Sequence, residues 1–476
     1  MDAESLHKGF LKLLKVEPTP CQDALFRALA RFMVTDDGDI FVVNGYAGTG
    51  KTTALAAVIS YLRRVGIMSV LLAPTGRAAK VLSGMAGRPA STIHKHIYRQ
   101  KSVGADGYGR FTLAPNKSKH TLFVVDEVSL IGIETAGQQS QSVFGSGNLL
   151  EDLVTFVRSG DDCRLILMGD SAQLPPVGLD ISPALDPSWM DNFGGVQYAT
   201  LSTVVRQADG SGILENATLL RHQIEKASPA DTFDAPMLDV RDWEDIVRIG
   251  GSDLLEALSD AYGRYGYDST IVLTRSNKRA IRYNLGIRAK VLYKEEELAR
   301  GDKFMIVRNC YQFVEDVDEL DYIANGDVAV LQKIWNFEER YGLRFADALL
   351  QFPDYDDCEI RAKVCLDTLS SESASLTAEQ QNALYAGVSA DYADRGSKKR
   401  IWDAVREDPY FNALQLKYAD AITCHKAQGG QWDCVFIDNP FWQPEQTTED
   451  LRWLYTALTR AVRKVYLVNF KDSFFV

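Results

Sequence analysis

No Cys-x-x-Cys pair occurs in this chain. Its seven cysteines, Cys21, Cys163, Cys310, Cys358, Cys365, Cys424 and Cys434, lie scattered, which excludes the paired ligand spacing of a zinc ribbon and gives no disulfide framework. They read as reduced structural residues. Long apolar runs are missing too: none approaches the ~18 residues of a membrane span. The opening "MDAESLHKGFLKLLK" lacks a signal peptide's apolar stretch and small-residue cleavage site. Both absences lead us to expect an intracellular protein with no membrane partner. Positive charge is also short, with 52 Lys+Arg against 64 Asp+Glu and a net charge of −12. That balance argues against a protein that coats nucleic acid. Its distribution qualifies the argument, because residues 1–120 hold 17 Lys+Arg against 8 Asp+Glu and the remainder 35 against 56. A basic first part joined to an acidic remainder fits a localised charged groove.

What is present begins with "NGYAGTGKTT", Asn44 to Thr53, set directly after the apolar run Ile40–Val43 and before "ALAAVISYLRR". Glycines let backbone N–H groups approach an anion closely, and a following helix N-terminus adds free donors and the positive end of its dipole. In the spacing G-x-x-x-x-G-K-[ST], Gly45 to Thr52, the backbone from Gly45 through Ala47, Gly48, Thr49 and Gly50 would cradle phosphates. Lys51 would reach the β/γ-phosphates and the Thr52 hydroxyl would ligate Mg²⁺, with Thr53 next to it. The expected ligand is a nucleoside triphosphate.

At 476 residues the chain is too long for one core. The runs "DIFVVNG", "MSVLLAPTG", "TLFVVDEVS" and "CRLILMGD" are short and nearly continuous in Val, Ile and Leu, as strands buried on both faces of a parallel sheet are. Helical patterns lie between them, so the fold class is α/β of the βαβ type. Polar residues follow the strand ends at Gly45, Thr75, Asp126 and Asp170, where open α/β sheets bind ligands. A second α/β series follows residue 200, in "STIVLTRSNKRAIRYNLGIR", "DAITCHKAQGGQWDCVFID" and "LRWLYTALTRAVRKVYLVNF". We therefore expect a first domain over 1–200, a second over 201–334 and 412–476, and an inserted subdomain over 335–411. A smaller insertion over 100–120, rich in glycine around Tyr108 and Phe111, reads as a β-hairpin.

"TLFVVDEVSL" sets Asp126 and Glu127 at a strand end. One carboxylate can support Mg²⁺ while its neighbour deprotonates the attacking water. In "LILMGDSAQLPPVG", Gln173 lies at the tip of a further strand, where its amide can contact a γ-phosphate. Arg206 in "LSTVVRQADG" and Arg460 in "LYTALTRAVRK" sit in otherwise apolar or neutral segments, where a guanidinium needs an anionic partner. For each arginine, a salt-bridged surface residue is the plain alternative.

The ordered set "TPCQDAL", "GYAGTGKTT", "LLAPTGRAAKVL", "STIHK", "VVDEVSL", "GDSAQLPPVG", "VVRQ", "ITCHKAQGGQW" and "LYTALTRA" resembles the motif series of superfamily 1 helicases, and within it the RecD/Dda branch. The likeness runs from about residue 18 to the end of the sequence. It implies two tandem RecA-like domains and ATP-driven 5′-to-3′ movement of a monomer on single-stranded DNA, with unwinding at single-strand/duplex junctions. It further implies that Gln22 reads adenine, that Gly429 and Gln431 belong to the nucleotide side, and that Gln173 couples the γ-phosphate to the DNA groove. Arg206 and Arg460 would be fingers across the interdomain cleft. Thr75, Thr92, His94, Thr423 and His425 match family positions near DNA, and their small polar groups suit contacts that ignore base sequence. His94 and His425 read equally as core histidines. Tyr108 and Phe111 read either as part of an aromatic-bearing hairpin that splits or stacks on bases at the junction or as part of a disordered loop. The sequence departs from the pattern at Gln431, where relatives often carry glutamate. Stretch 335–411 matches only as an insertion; the Dda-like arrangement implies a small β-barrel with an extension. An RNA or RNA–DNA helicase and a nucleotide-gated binding switch stay open as alternatives, and replication, recombination and repair are equally compatible.

Overall fold

The computed structural model describes residues 2–103, 109–133, 143–204, 210–228, 231–314 and 322–476. The apolar runs of the first half assemble into a six-stranded parallel sheet in the order Ala90–Thr92, Met68–Ala73, Thr121–Val125, Arg164–Gly169, Ile40–Gly45, Val196–Leu201. Alternation explains why both faces are buried. Phe41 and Val43 face a core with Phe10, Phe26 and Val58, whereas Ile40 and Val42 face a second core with Leu150, Leu153 and Phe156. The nucleotide-loop strand Ile40–Gly45 lies between Arg164–Gly169 and Val196–Leu201, and the helix Lys51–Arg64 leaves its end.

A second parallel sheet has the order Ile246–Ile249, Ala461–Val468, Trp432–Asp438, Thr270–Thr274, Ala421–Thr423. One of its faces carries Ile271, Leu273, Val435, Ile437, Val465 and Leu467, and their core takes in Tyr46, Ala172 and Leu174 from the first lobe. The two lobes thus share apolar packing beside the nucleotide loop. Area buried there removes water from the polar contacts around it, which strengthens them.

The third body is a closed barrel of Lys303–Ile306, Val328–Arg340, Leu343–Phe352, Cys358–Cys365 and Leu414–Tyr418. It draws in strands that begin on the N-terminal side of Trp335, among them Lys303–Ile306, which is buried throughout like the strand Thr270–Thr274 of the lobe before it. From it extend the helices Ala378–Asp391 and Lys398–Glu407, packed on the long hairpin through Leu343, Phe345, Leu384, Val388, Trp402 and Val405. The smaller insertion is a hairpin of Tyr98–Val103 and Gly109–Leu113, joined in parallel by Val143–Phe144. Its turn, with Tyr108, lies outside the described residues. Among the described residues no helix is long and apolar enough to cross a membrane.

Candidate nucleotide site and nucleic-acid groove

The phosphate loop turns at Gly48 and Gly50, whose φ values of 73° and 75° lie in the left-handed region where a side chain would be strained. Lys51 opens the helix that follows. Its ammonium donates to the Gly45 carbonyl and lies 3.7 Å from Asp170, a carboxylate with no solvent exposure. Behind the loop, Thr19 and Gln22 form a reciprocal cap on the helix Pro20–Phe32. The Gln22 amide also donates to the Thr49 carbonyl at 3.0 Å. The buried glutamine is therefore bonded at both ends of its amide and braces the phosphate loop. Thr49 is buried and its hydroxyl donates to the Tyr46 carbonyl at 2.7 Å, whereas Thr52 is half-buried and Thr53 exposed.

Asp126 ends the strand Thr121–Val125, and the Glu127 N–H donates to it at 2.8 Å. Burial, with Glu127 beside it, pushes the Asp126 carboxyl up to about 7. Glu127 holds a left-handed backbone, φ 56°, a conformation that a residue with a Cβ adopts at a cost. Such strain clusters at functional turns, and here it keeps Glu127 partly exposed while its neighbour stays inside. Two adjacent carboxylates near Lys51, one of them buried, suit a divalent cation. The donor set of Asp126 and Thr52 is all oxygen, as Mg²⁺ requires. Gln173 is buried, and its side-chain oxygen has no hydrogen-bond partner. A buried polar atom left open in this way points to a ligand or water contact.

Across the lobe junction the geometry selects residues that the sequence did not. Arg206 lies outside the described residues. Arg460 is buried, and its guanidinium donates to Thr456, Gly430 and Thr459, all within its own lobe. The first lobe is reached instead from the helix Thr448–Leu458 and from Gln428. Arg452 donates to the carbonyls of Ser171 and Gln173, Thr456 accepts from the Leu174 N–H at 2.8 Å, and Gln428 donates to the Leu174 carbonyl at 2.7 Å. Tyr455, 1% exposed, accepts from the Ala47 N–H at 2.8 Å and donates to Asp170 at 2.7 Å. Arg452, Tyr455 and Thr456 stand within the segment that contains Arg460. The only sequence signal for them is a helical period placing polar groups on an otherwise apolar helix.

The same sheet edges build a second surface. Thr75 and Thr92 cap helices at the ends of neighbouring strands, accepting from Ala78 and Lys95 at 3.2 Å each. In the second lobe Thr274 and Thr423 occupy paired strand ends in the same way, and Ser276 caps the helix Asn277–Lys290. His94 and His425 line one cleft with Phe144, Pro176 and Gln428, so the two histidines face a space shared by the lobes. Burial lowers both imidazoles, His94 to about 4. Each is therefore neutral at pH 7. Thr423 and His425 also border a groove with Arg275, Ser276, Lys278 and Lys426, of which the sequence reading named none. "LTRSNKR" repeats the grammar of "LLAPTGR", a strand followed by a capping hydroxyl, and that repeat was the available signal. Gly429 packs against Thr75 and Ala78, and Gln431 is exposed. The Phe111 ring stacks on Phe144 at 4.4 Å and lies 5.2 Å from Tyr311, so protein rings already occupy it.

A phosphate loop, a carboxylate pair on the next strand but one and a second parallel lobe reaching across to them define a two-lobed P-loop nucleotide-binding fold. Residues 22–232 match the family profile of an AAA domain and residues 418–468 that of a UvrD-like helicase C-terminal domain. The ATP-dependent RecD2 DNA helicase of Deinococcus radiodurans is 35% identical over 183 residues, covering 38% of this chain and 22% of that protein. The ATP-dependent DNA helicase Dda of phage T4 is 24% identical over 458 residues, 90% of this chain and 93% of the relative. The Pif1 helicase of a Psychrobacter species is 25% identical over 180 residues, 36% of this chain and 25% of its own. The chain thus spans about a quarter or less of RecD2 and Pif1 but nearly all of Dda. Its matched segments are an AAA domain and a UvrD-like helicase C-terminal domain, and along its length it is similar to helicases of the RecD, Dda and Pif1 kind.

Proposed function

We propose that this protein is an ATP-dependent DNA helicase that moves 5′ to 3′ along one strand and parts the duplex ahead of it. One observation carries the reading. The nucleotide loop and the cleft with His94 and His425 are both bordered by the same two lobes, so any change in how the lobes meet at one is felt at the other. In this reading Lys51 leaves Asp170 to bind the β/γ-phosphates, and Gln22 steadies the loop behind them. Asp126 and Thr52 would hold Mg²⁺, which when bound offsets phosphate charge. Glu127 takes a proton from the attacking water, and Gln173 offers its open amide oxygen to that water or to a phosphate hydroxyl. Arg460, Arg206 and Arg452 are the cations available to stabilise negative charge as the lobes close. The hydroxyls of Thr75, Thr92 and Thr423 meet the strand backbone without reading its bases. The monomeric state and a role in replication or repair are proposed on the family likeness alone.

The test uses two partial duplexes, one with a 5′ and one with a 3′ single-stranded tail, incubated with ATP and Mg²⁺, and Lys51→Ala as the inactive control. Separation from the 5′ tail alone is expected. Separation from the 3′ tail reverses the polarity. Hydrolysis stimulated by single strands without separation of either duplex overturns the helicase assignment and leaves a translocase or a switch. Preference for an RNA strand would move the assignment to an RNA helicase.

A further inference from the structure

We infer that the Tyr455 hydroxyl is the positioning group through which the second lobe senses what Lys51 holds, a reading that rests on the proposed ATPase function. The other polar links here, from Arg452, Thr456 and Gln428, all end on backbone atoms of Ser171, Gln173 and Leu174. Tyr455 ends on two atoms of the phosphate site itself: the Ala47 N–H at 2.8 Å, inside the loop, and Asp170 Oδ2 at 2.7 Å. That same Oδ2 is the oxygen 3.7 Å from the Lys51 ammonium. A relay results, from ammonium to carboxylate to phenol to loop amide, and it joins residues 285 and 408 positions apart.

The carboxylate in the middle has no solvent exposure, so its charge depends wholly on its partners. Its direct partners are Lys51, the Ala172 N–H at 3.0 Å and the Tyr455 hydroxyl, with Arg452 a second cation in its field. When phosphates draw Lys51 away, Asp170 loses its paired cation and leans on the remaining donors and on the more distant Arg452. The hydrogen bond from Tyr455 to a less compensated carboxylate strengthens. The helix Thr448–Leu458 is then held harder against the loop. Loss of the γ-phosphate returns Lys51 toward Asp170 and loosens the hold. Arg460 stands at the end of the same segment, two residues beyond that helix, so its position follows.

Tyr455→Phe removes one oxygen and leaves the ring packing intact. The readout is the affinity for a single-stranded oligonucleotide with a non-hydrolysable ATP analogue divided by that with ADP. In the native protein this ratio departs from unity by about tenfold, an ordinary coupling. In Tyr455→Phe it collapses toward one. Thr456→Val, which removes a cross-lobe bond to backbone only, keeps the native ratio. A native ratio in Tyr455→Phe, with or without a lower melting temperature, overturns the inference. Equal collapse in Thr456→Val overturns it too, by making the interface as a whole responsible. If the native protein shows no nucleotide-dependent DNA affinity, the functional reading fails and hydrogen exchange of Thr448–Leu458 decides on the tyrosine. Protection by the ATP analogue in the native chain but not in Tyr455→Phe supports the relay; equal protection, or none in either, rejects it.

Discussion

Glu127 and Asp126 differ by one position and by a reversal of the backbone, and that reversal separates their roles. Asp126 stays on the buried strand end with its carboxyl pushed up to about 7, while the left-handed turn brings Glu127 to the partly exposed side. Replacing Glu127 by Gln keeps size and removes the base. We expect ATP hydrolysis to fall by ~10²–10⁴-fold, the usual worth of a positioned base, with nucleotide binding retained. Steady-state turnover and equilibrium binding of a fluorescent ATP analogue check this, and unchanged turnover would remove Glu127 from the mechanism. Gln22 teaches a different lesson at this scale. Its identity was legible beside "TP", but its bond to the Thr49 carbonyl was not, because a capping glutamine and a loop-bracing glutamine look alike until helix and loop are brought together.

At the scale of elements, the helix Gly76–Ala86 is clamped from two sides. Gly429 lies on it with φ 74°, and a Cβ there would come within 2.9 Å of the Ala78 Cβ. Gly429→Ala combines left-handed strain with a clash, and a loss of about 1–3 kcal/mol is expected, read as a lower melting temperature. On the other side the barrel applies Asp327 and Tyr355 to Gly76, with Asp354 paired to Lys80 at 3.1 Å. The Tyr355 hydroxyl donates to Asp327 at 2.9 Å, and burial pushes that carboxyl up to about 7. Its folded value lies above its unfolded one, so the folded chain holds a proton that the unfolded chain releases. This contribution to stability is full below the ordinary carboxylate range and is lost as pH rises toward 7. Asp327→Asn should therefore flatten the fall of melting temperature between pH 4 and about 7. A parallel fall in native and variant proteins would show that the site does not titrate in the folded state. The hairpin and the parallel strands were legible as elements because their periods differ from those of helices. The barrel's first strand, Lys303–Ile306, was not, since a short apolar run buried throughout belongs equally to a lobe or to a barrel until its partner strand is known.

For the whole molecule, a net charge of −12 surrounds a groove bordered by Arg275, Lys278 and Lys426. Binding of single strands should accordingly weaken with salt, and Lys426→Gln should reduce the slope of log affinity against log salt by ~0.7, one phosphate's share. Burial lowers the Lys426 ammonium to about 8. Its charge is present at pH 7 and is lost on the way to pH 9, so affinity should drop across that window and Lys426→Arg should flatten the drop. Fluorescence anisotropy with a labelled oligonucleotide measures both. The sequence by itself determined the phosphate loop, the carboxylate pair, the βαβ order of both lobes and the hydroxyl-bearing strand ends. Each of these is written in contiguous residues whose spacing is set by local backbone geometry. Only the tertiary structure decided that Tyr455, Arg452, Thr456 and Gln428 reach the nucleotide side, that Arg460 bonds within its own lobe, and that Phe111 stacks on Phe144. Those contacts join residues far apart in the chain, and what selects them is the shared burial of two sheets, a quantity no local pattern carries.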